Sequence, residues 1–254
     1  MTGLACTWAG RATQLWLWAL AGVFGLILSC PAIAQPDEPV MELHLVLAID
    51  VSASVNDVEF DLQRSGTAQA FRDPYVMAAI GRAPGGVAVS IVQWSSRTRQ
   101  ALGLDWVHLQ TVDDVAVYAD AVQAMPRRLP GGGTMLHSGL EFAGRMFETA
   151  PGSARRKVID VSGNGETDDL EKMLETRDRL ASEGVVINAL AIEELNRDLT
   201  GYFQRHLIAG PNAFVVTADE FEDFGRAMQI KLLREVEGAI YSGVPAVNHL
   251  ALSR

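Results

Sequence analysis

The chain has 254 residues, of which 48% are hydrophobic and 20% are charged, and its formal net charge is −10. An acidic surface of this kind argues against nucleic acid and anionic membrane surfaces as partners, and it favours solubility. A chain of this length can bury one substantial core, so one domain is the simplest organisation.

The first 34 residues have the layout of a secretory signal peptide. Arg11 precedes an apolar stretch at 15–28, and Ala32-Ile33-Ala34 is a small-x-small cleavage signal. We expect cleavage after Ala34, which places the mature protein in the periplasm or outside the cell, without a membrane span. Two alternatives stay open. One is a retained anchor, because the apolar stretch is near the lower limit for spanning a bilayer, and the other is lipidation at Cys30.

Both cysteines of the chain, Cys6 and Cys30, lie in this leader. The mature chain from Gln35 onward therefore has no thiol, no disulfide and no cysteine-based metal site. This composition suits an oxidising compartment, where a stray thiol is a liability.

After the leader, apolar runs alternate with amphipathic stretches. Strands are predicted at residues 44–49, 87–94, 99–104, 158–161, 185–192 and 213–216. Helices are predicted at residues 54–71, 113–124, 134–148, 170–180 and 221–236. This alternation predicts an α/β fold: a doubly wound, mostly parallel central sheet with helices on both faces. We therefore predict a flexible segment at 35–41, one domain at 42–238 and a tail at 239–254.

The first predicted strand ends in an Asp-x-Ser-x-Ser pentad formed by Asp50, Ser52 and Ser54. One carboxylate and two hydroxyls at alternate positions are oxygen ligands that suit a hard cation such as Mg²⁺. In doubly wound sheets, ligands bind beyond the carboxyl ends of the strands. The pentad lies at that edge, so it is the first candidate for a metal site.

Two further segments are expected at the same edge. In Gly131-Gly132-Gly133-Thr134 the glycines let the backbone pass close to a ligand, and Thr134 stands at a predicted helix start. An ordinary loop with an N-cap is the alternative, and the stretch lacks the Gly-Lys-Ser/Thr ending of a phosphate-binding loop. Residues 162–169 follow a predicted buried strand. They also fit a Gly-rich turn with acids in the first turn of a helix.

In this order and strand context, the three segments resemble the metal-ion-dependent adhesion site (MIDAS) of von Willebrand factor A-type (VWA) domains. The sequences AIDVSASV at 48–55, VQW at 92–94 and VIDVSGNG at 158–165 are similar to a bacterial group of secreted VWA proteins of uncharacterised function. The resemblance covers residues 42–238 and implies a VWA-like, Rossmann-like fold.

The resemblance also implies a ligand set for a divalent cation, Mg²⁺ first and Mn²⁺ or Ca²⁺ as alternatives. Ser52, Ser54 and Thr134 contact the ion through their hydroxyls, and Asp50 binds it directly or through a water. The family pattern has an acid at a fifth position, where this chain has Asn164. An amide still offers a carbonyl oxygen but removes one negative charge, so we expect weaker affinity for the ion.

Other polar residues lie near these segments in the sequence. Glu166 and Asp168 are candidates to replace the missing charge, provided that the turn bends back toward the pentad. Asp160 is a poorer candidate because it falls within the predicted strand. His137 follows Thr134 by one helical turn, so it borders the predicted site or has a capping or solvent-facing role.

The function implied by the resemblance is a non-enzymatic binding module, in which a carboxylate from a protein partner completes the coordination of the ion. One alternative is a metal-assisted hydrolase, which needs a general base such as Glu166, Asp168 or His137. Another is a scaffold domain with a degenerate metal site. A nucleotide-binding Rossmann enzyme is disfavoured, because the turn after the first strand lacks Gly-x-Gly-x-x-Gly.

Overall fold

A computed structural model describes residues 40–238, which form one α/β domain. Its strands are β1 (Val40–Asp50), β2 (Val87–Trp94), β3 (Gln100–Leu109), β4 (Ser153–Gly163), β5 (Val185–Ile192) and β6 (Val215–Ala218). Its helices are α1 (Asp57–Arg72), α2 (Pro74–Arg82), α3 (Val112–Ala124), α4 (Leu136–Met146), α5 (Leu170–Ser182), α6 (Leu199–His206) and α7 (Phe224–Glu237). Among these residues, every helix is too short or too polar to span a bilayer.

The strands form a single sheet in the order β3-β2-β1-β4-β5-β6. All neighbouring pairs are parallel except β2 and β3, which are antiparallel. This confirms the predicted mostly parallel, doubly wound sheet. Because β1 and β4 are parallel neighbours in the centre, with Ile49 opposite Ser162, the loops that follow them meet at one edge of the sheet.

Alternate residues of β1 supply both halves of the core. Leu43, Leu45 and Leu47 pack into one buried cluster with apolar residues of α1, α2, α3 and α7. Val46 and Ala48 point the other way, into a second cluster with α4, α5 and α6. The strand is therefore buried on both faces, which explains the uninterrupted apolar run at residues 45–49.

Some boundaries differ from those predicted. Val40 and Met41 belong to β1 rather than to a flexible segment, and the predicted signal peptide and C-terminal tail lie outside the described residues. β3 extends to Leu109 and forms a hairpin with β2. β6 lies two residues later than predicted. Helices α2 and α6, of nine and eight residues, were not predicted, since such short helices show little periodicity.

The predicted start of α4 at Thr134 is wrong. The helix begins at Leu136, after Met135, and no side chain caps it. Thr134 belongs to the preceding loop, and its backbone is bonded to another segment. The N-cap role considered for Thr134 is therefore excluded, and its hydroxyl has no capping bond to make.

Candidate metal centre

Asp50 is the last residue of β1 and is completely buried. Its Oδ1 accepts a hydrogen bond of 2.7 Å from the backbone N–H of Ser52, which turns the chain sharply after the strand. Its Oδ2 is buried without a hydrogen-bond partner among the described residues. A buried carboxylate oxygen of this kind costs free energy unless a proton or a cation compensates it.

The pKa of Asp50 reflects this environment. Burial raises the pKa to about 6, although the nearby polar groups of Ser52 and Asn164 and the charge of Arg127 act in the opposite direction. The ionised form therefore lacks a compensating positive charge, which a divalent cation at this position would supply.

The two serine hydroxyls of the pentad lie beside each other and beside the turn after β4. Ser52 Oγ is 3.0 Å from Ser54 Oγ, and Ser54 Oγ donates to Asn164 Oδ1 at 2.7 Å. The Asn164 amide donates in turn to the backbone carbonyl of Ser54 at 3.2 Å. Ser52 and Asn164 are buried whereas Ser54 is exposed, so the group opens to solvent on the side of Ser54.

The glycine loop packs directly against the pentad. The N–H of Ala53 donates to the Gly132 carbonyl at 2.8 Å. A Cβ atom at Gly131 would lie 3.0 Å from Ala53 Cα, a tighter contact than most side chains make. The glycines are therefore needed for this close approach of two backbones.

Thr134 lies against the turn that contains Asn164. Its N–H donates to Asp168 Oδ2 at 2.9 Å, and its carbonyl accepts from the N–H of Asp168, also at 2.9 Å. A Cβ atom at Gly165 would be 3.9 Å from Thr134 Oγ1, which places this hydroxyl beside Gly165. The structure thus brings Asp50, Ser52, Ser54, Thr134 and Asn164 to one edge of the sheet.

The other candidate acids have different positions. Asp168 does bend back, but to the backbone of Thr134. Glu166 is exposed and accepts a hydrogen bond from Asn196 at 3.0 Å. Asp160 lies inside β4, where it is paired with Lys231. Between residues 40 and 238, no group of three His, Cys, Asp or Glu side chains is arranged to hold an ion.

Three residues around Asp50 were not anticipated from the sequence. Gln63 is buried in α1 and donates to the Asp50 carbonyl at 3.2 Å. A Cβ atom at Gly163 would be 3.2 Å from Asp50 Oδ2, so this glycine leaves room at the unpartnered oxygen. Arg127 donates to the carbonyls of Val51 and Val55, at 3.1 and 2.9 Å. Gln63 left a signal as a polar residue on the inner side of a predicted helix, and Gly163 lies in the Gly-rich turn that the sequence singled out, but neither pattern indicated a contact with Asp50.

These residues fit a hard divalent cation. The unpartnered carboxylate oxygen, the two adjacent hydroxyls and the amide carbonyl are all oxygen donors. Only Asp50 supplies formal charge among the five predicted ligands, so an ion at this edge depends mainly on neutral oxygens.

Comparison with known proteins is consistent with this geometry. Residues 40–240 match the family described as "Protein of unknown function (DUF1194)", and no curated protein matches the chain. Similar solved structures include proximal thread matrix protein 1 from the mussel byssus, with a zinc-occupied MIDAS motif. That structure has a TM-score of 0.56 and 18% identity, over 78% of this chain and 48% of that protein. This chain thus spans about half the length of the mussel protein.

Two bacterial pilus proteins are also similar. The PilB minor pilin from Streptococcus sanguinis has a TM-score of 0.57 at 12% identity, over 83% of this chain and 65% of that one. The vWF domain of the type V pili tip protein Mfa5 from Porphyromonas gingivalis has a TM-score of 0.55 at 12% identity, over 82% and 99%. At such low sequence identities, the structural similarity establishes the fold alone. The chain is therefore a member of the DUF1194 family, and its domain has the VWA fold.

Proposed function

We propose that this protein is a binding module that engages a protein partner through a divalent cation, with Mg²⁺ the first candidate. The observation that carries the proposal is the buried, unpartnered Oδ2 of Asp50 in a pentad whose two serine hydroxyls lie 3.0 Å apart, with Ser54 exposed to solvent. Its ligands are Asp50, Ser52, Ser54, Thr134 and Asn164. The leader sequence supports a place in the periplasm or outside the cell.

Each residue has a distinct part in this proposal. Asp50 supplies negative charge from the buried end of β1, and Gln63 fixes the Asp50 backbone by donating to its carbonyl. Ser52 and Ser54 offer hydroxyl oxygens, and Asn164 holds the pentad to the β4 turn. When bound, the ion supplies a positive charge to which a carboxylate of the partner is attracted. The exposed side of Ser54 is the side from which the partner approaches.

An enzymatic role has less support from the described residues. Of the three candidate bases, His137 is 6% exposed within α4, Glu166 is bonded to Asn196, and Asp168 is bonded to Thr134. The scaffold alternative has one observation in its favour. Both ends of the Asn164 amide are bonded to Ser54, so the pentad and turn are joined without an ion.

The test is the thermal stability of the mature protein with and without Mg²⁺ or Mn²⁺. At an ion concentration about ten times the dissociation constant, we expect a stabilisation of about 1.4 kcal/mol. For a domain of this size that raises Tm by roughly 3–6 °C. Asp50→Asn keeps the shape of the side chain but removes its charge, so we expect the rise to vanish.

Glu175→Gln is the matched control, because Glu175 is an exposed acid in the middle of α5; this variant should keep the full rise. An equal rise in Asp50→Asn would place the ion elsewhere, and no rise in the wild type would leave the scaffold alternative. Hydrolysis of generic phosphate or ester substrates that depends on Asp50 would contradict the non-enzymatic role.

A further inference from the structure

A groove adjoins the candidate metal centre on the side of β2 and β3. One wall contains Ala53, Val55 and Asp57, and the other is formed by residues 127–131. Ala53 lies between the two serine ligands of the pentad, and its N–H is bonded to Gly132. The groove therefore adjoins the candidate metal centre directly.

Arginine residues are concentrated around this groove, although the chain as a whole has a net charge of −10. Arg127 is a structural member of the group. It binds the Val51 and Val55 carbonyls and pairs with Asp57 at 3.0 Å, which fixes the wall next to the pentad.

Three other arginines are exposed: Arg97, Arg99 and Arg128. Arg99 donates to the carbonyl of Gly131, a lining residue of the groove, at 2.5 Å. Arg97 lies in the same turn between β2 and β3, and this turn packs on the glycine loop, since a Cβ atom at Gly132 would be 2.9 Å from Ser96 Oγ. Within the described part of the chain, none of the three forms an ion pair with an acid.

The opposite flank of the same sheet edge is acidic. Glu194 follows β5, and Glu220 and Glu222 follow β6. Ile192 and Ala218 are paired at the ends of β5 and β6, so these acids follow adjacent strand ends. Burial and the charges of Glu59, Glu222 and Glu220 raise the pKa of Glu194. Since β5 and β6 lie on the far side of β1 from β2 and β3, this group of acids and the three exposed arginines lie on opposite sides of the metal centre. One arginine, Arg197, also follows β5, and one acid, Asp57, lines the groove, where it is paired with Arg127. An acidic partner is attracted to the arginine side and repelled from the other.

We propose that the groove binds an extended, acidic segment of the protein partner, in which one carboxylate reaches the ion and the next ones pair with Arg97, Arg99 and Arg128. The inference rests on the proposed function and specifies its partner. A guanidinium group binds a carboxylate through two parallel hydrogen bonds. In an extended segment, every second side chain points the same way, about 7 Å apart. Acids at alternate positions therefore suit the groove best.

The probe is a fluorescein-labelled ten-residue peptide of Gly and Ser with Asp at three alternate positions, compared with the same peptide carrying a single Asp. Affinity is measured by fluorescence anisotropy with the mature protein in Mn²⁺. We expect the triple-Asp peptide to bind about three to ten times more tightly, as two further exposed charge pairs allow. We expect Arg97→Ala/Arg128→Ala to remove this advantage without changing the affinity for the single-Asp peptide or the ion-dependent rise in Tm.

The matched control is Arg145→Ala/Arg179→Ala, which removes two exposed arginines from α4 and α5. Because its net charge is the same as that of the groove variant, it should retain the preference for the triple-Asp peptide. Equal affinity for both peptides, with a normal ion-dependent rise in Tm, would overturn the inference and leave the proposed function intact. No ion-dependent rise in Tm would contradict the proposed function itself. Equal loss of binding in both arginine variants would show a general charge effect and also overturn the inference.

A sulfated polysaccharide is the other polyanion with matching charge. If heparin binds without Mn²⁺ and, per negative charge, displaces the labelled triple-Asp peptide at a lower concentration than the unlabelled peptide does, the assignment of a protein segment is wrong. If heparin competes only weakly and the peptide requires Mn²⁺, the assignment of an acidic protein segment is supported.

Discussion

Asn164 shows how a single side chain sets the properties of the candidate metal centre. Its carbonyl oxygen accepts from Ser54 Oγ and its amide donates to the Ser54 carbonyl, so its orientation is fixed. The position of Asn164 beside the pentad was predicted from its place in the motif. The pair of hydrogen bonds to Ser54 was not predicted, because it depends on how two loops from distant parts of the chain face each other.

Replacing this amide with a carboxylate tests its place in the site. We expect Asn164→Asp to bind Mn²⁺ more tightly, by roughly three- to tenfold, because a second negative charge joins the oxygen ligands. Without an ion, two neighbouring carboxylates repel each other, so the Tm of the metal-free variant should fall. Titration calorimetry with Mn²⁺ measures the first effect and thermal unfolding the second.

Asn212→Asp is the control for this exchange. Asn212 is exposed and precedes β6, at the opposite edge of the sheet, so the variant adds the same charge far from the pentad. Unchanged Mn²⁺ affinity in Asn164→Asp would remove Asn164 from the ligand set, and an equal gain in Asn212→Asp would point to a long-range charge effect.

Helices α1 and α7 illustrate what the pattern of one element reveals and what it hides. The capping box of α1, in which Asn56 and Glu59 bond each other's backbones, is readable from the sequence. The contact between the helices is not. A Cβ atom at Gly66 would lie 2.9 Å from Gly225 Cα and 3.0 Å from a ring atom of Phe224. From the sequence alone, a glycine within a helix predicts only lower helix stability, and the close contact that requires it is visible only in the structure.

We expect Gly66→Ala to lower the free energy of unfolding by about 1–3 kcal/mol, because overpacking at the contact outweighs the gain in helix propensity. Chemical denaturation measures this change. Gly81→Ala is the control, since a Cβ atom at this α2 position meets only the Gln110 carbonyl, at 4.0 Å. That variant should be neutral or slightly more stable. Full stability of Gly66→Ala would mean that α1 and α7 are free to separate.

Across the whole molecule, the arrangement least predictable from sequence is the buried charge network between the sheet and α7. Lys231 contacts Asp160 of β4 and lies 3.9 Å from Glu235, and all three side chains are only 1% exposed. Asn188 of β5 donates to Glu235 at 2.6 Å, and Arg156 lies 3.5 Å from its other oxygen. Lys and Glu four residues apart usually indicate a solvent-facing stripe. Here that face of α7 is buried because the helix lies over the sheet.

This network gives the protein a defined pH dependence. Burial raises the pKa of Glu235 from its usual 4.5 to about 7, the nearby Asp160 adds to the effect, and Lys231, Asn188 and Arg156 oppose it. The folded state therefore holds a proton that the unfolded state loses above pH 4.5. The contribution of Glu235 to stability is complete below that pH and is lost as the pH rises through about 7.

Glu235→Gln keeps the bond from Asn188 but cannot ionise, so we expect its stability to fall less between pH 4.5 and 7 than that of the wild type. The difference should be on the order of 1–3 kcal/mol, measured as free energy of unfolding in urea. Glu175→Gln, exposed on α5, should follow the wild-type profile. Parallel profiles for the wild type and Glu235→Gln would show that Glu235 is ionised throughout this range.

The central position of β1 has a mechanical consequence. In the proposed function, a partner held at Asp50, Ser52 and Ser54 would load the carboxyl end of this strand. On both sides β1 is hydrogen-bonded to a parallel neighbour over most of its length, so a load directed along the strand would be shared by many hydrogen bonds at once. The Ala53–Gly132 and Ser54–Asn164 hydrogen bonds also connect the pentad to the glycine loop and to the turn after β4, so part of the load would pass to these loops. A load applied to β1 at this edge would therefore be carried by both neighbouring strands, β2 and β4.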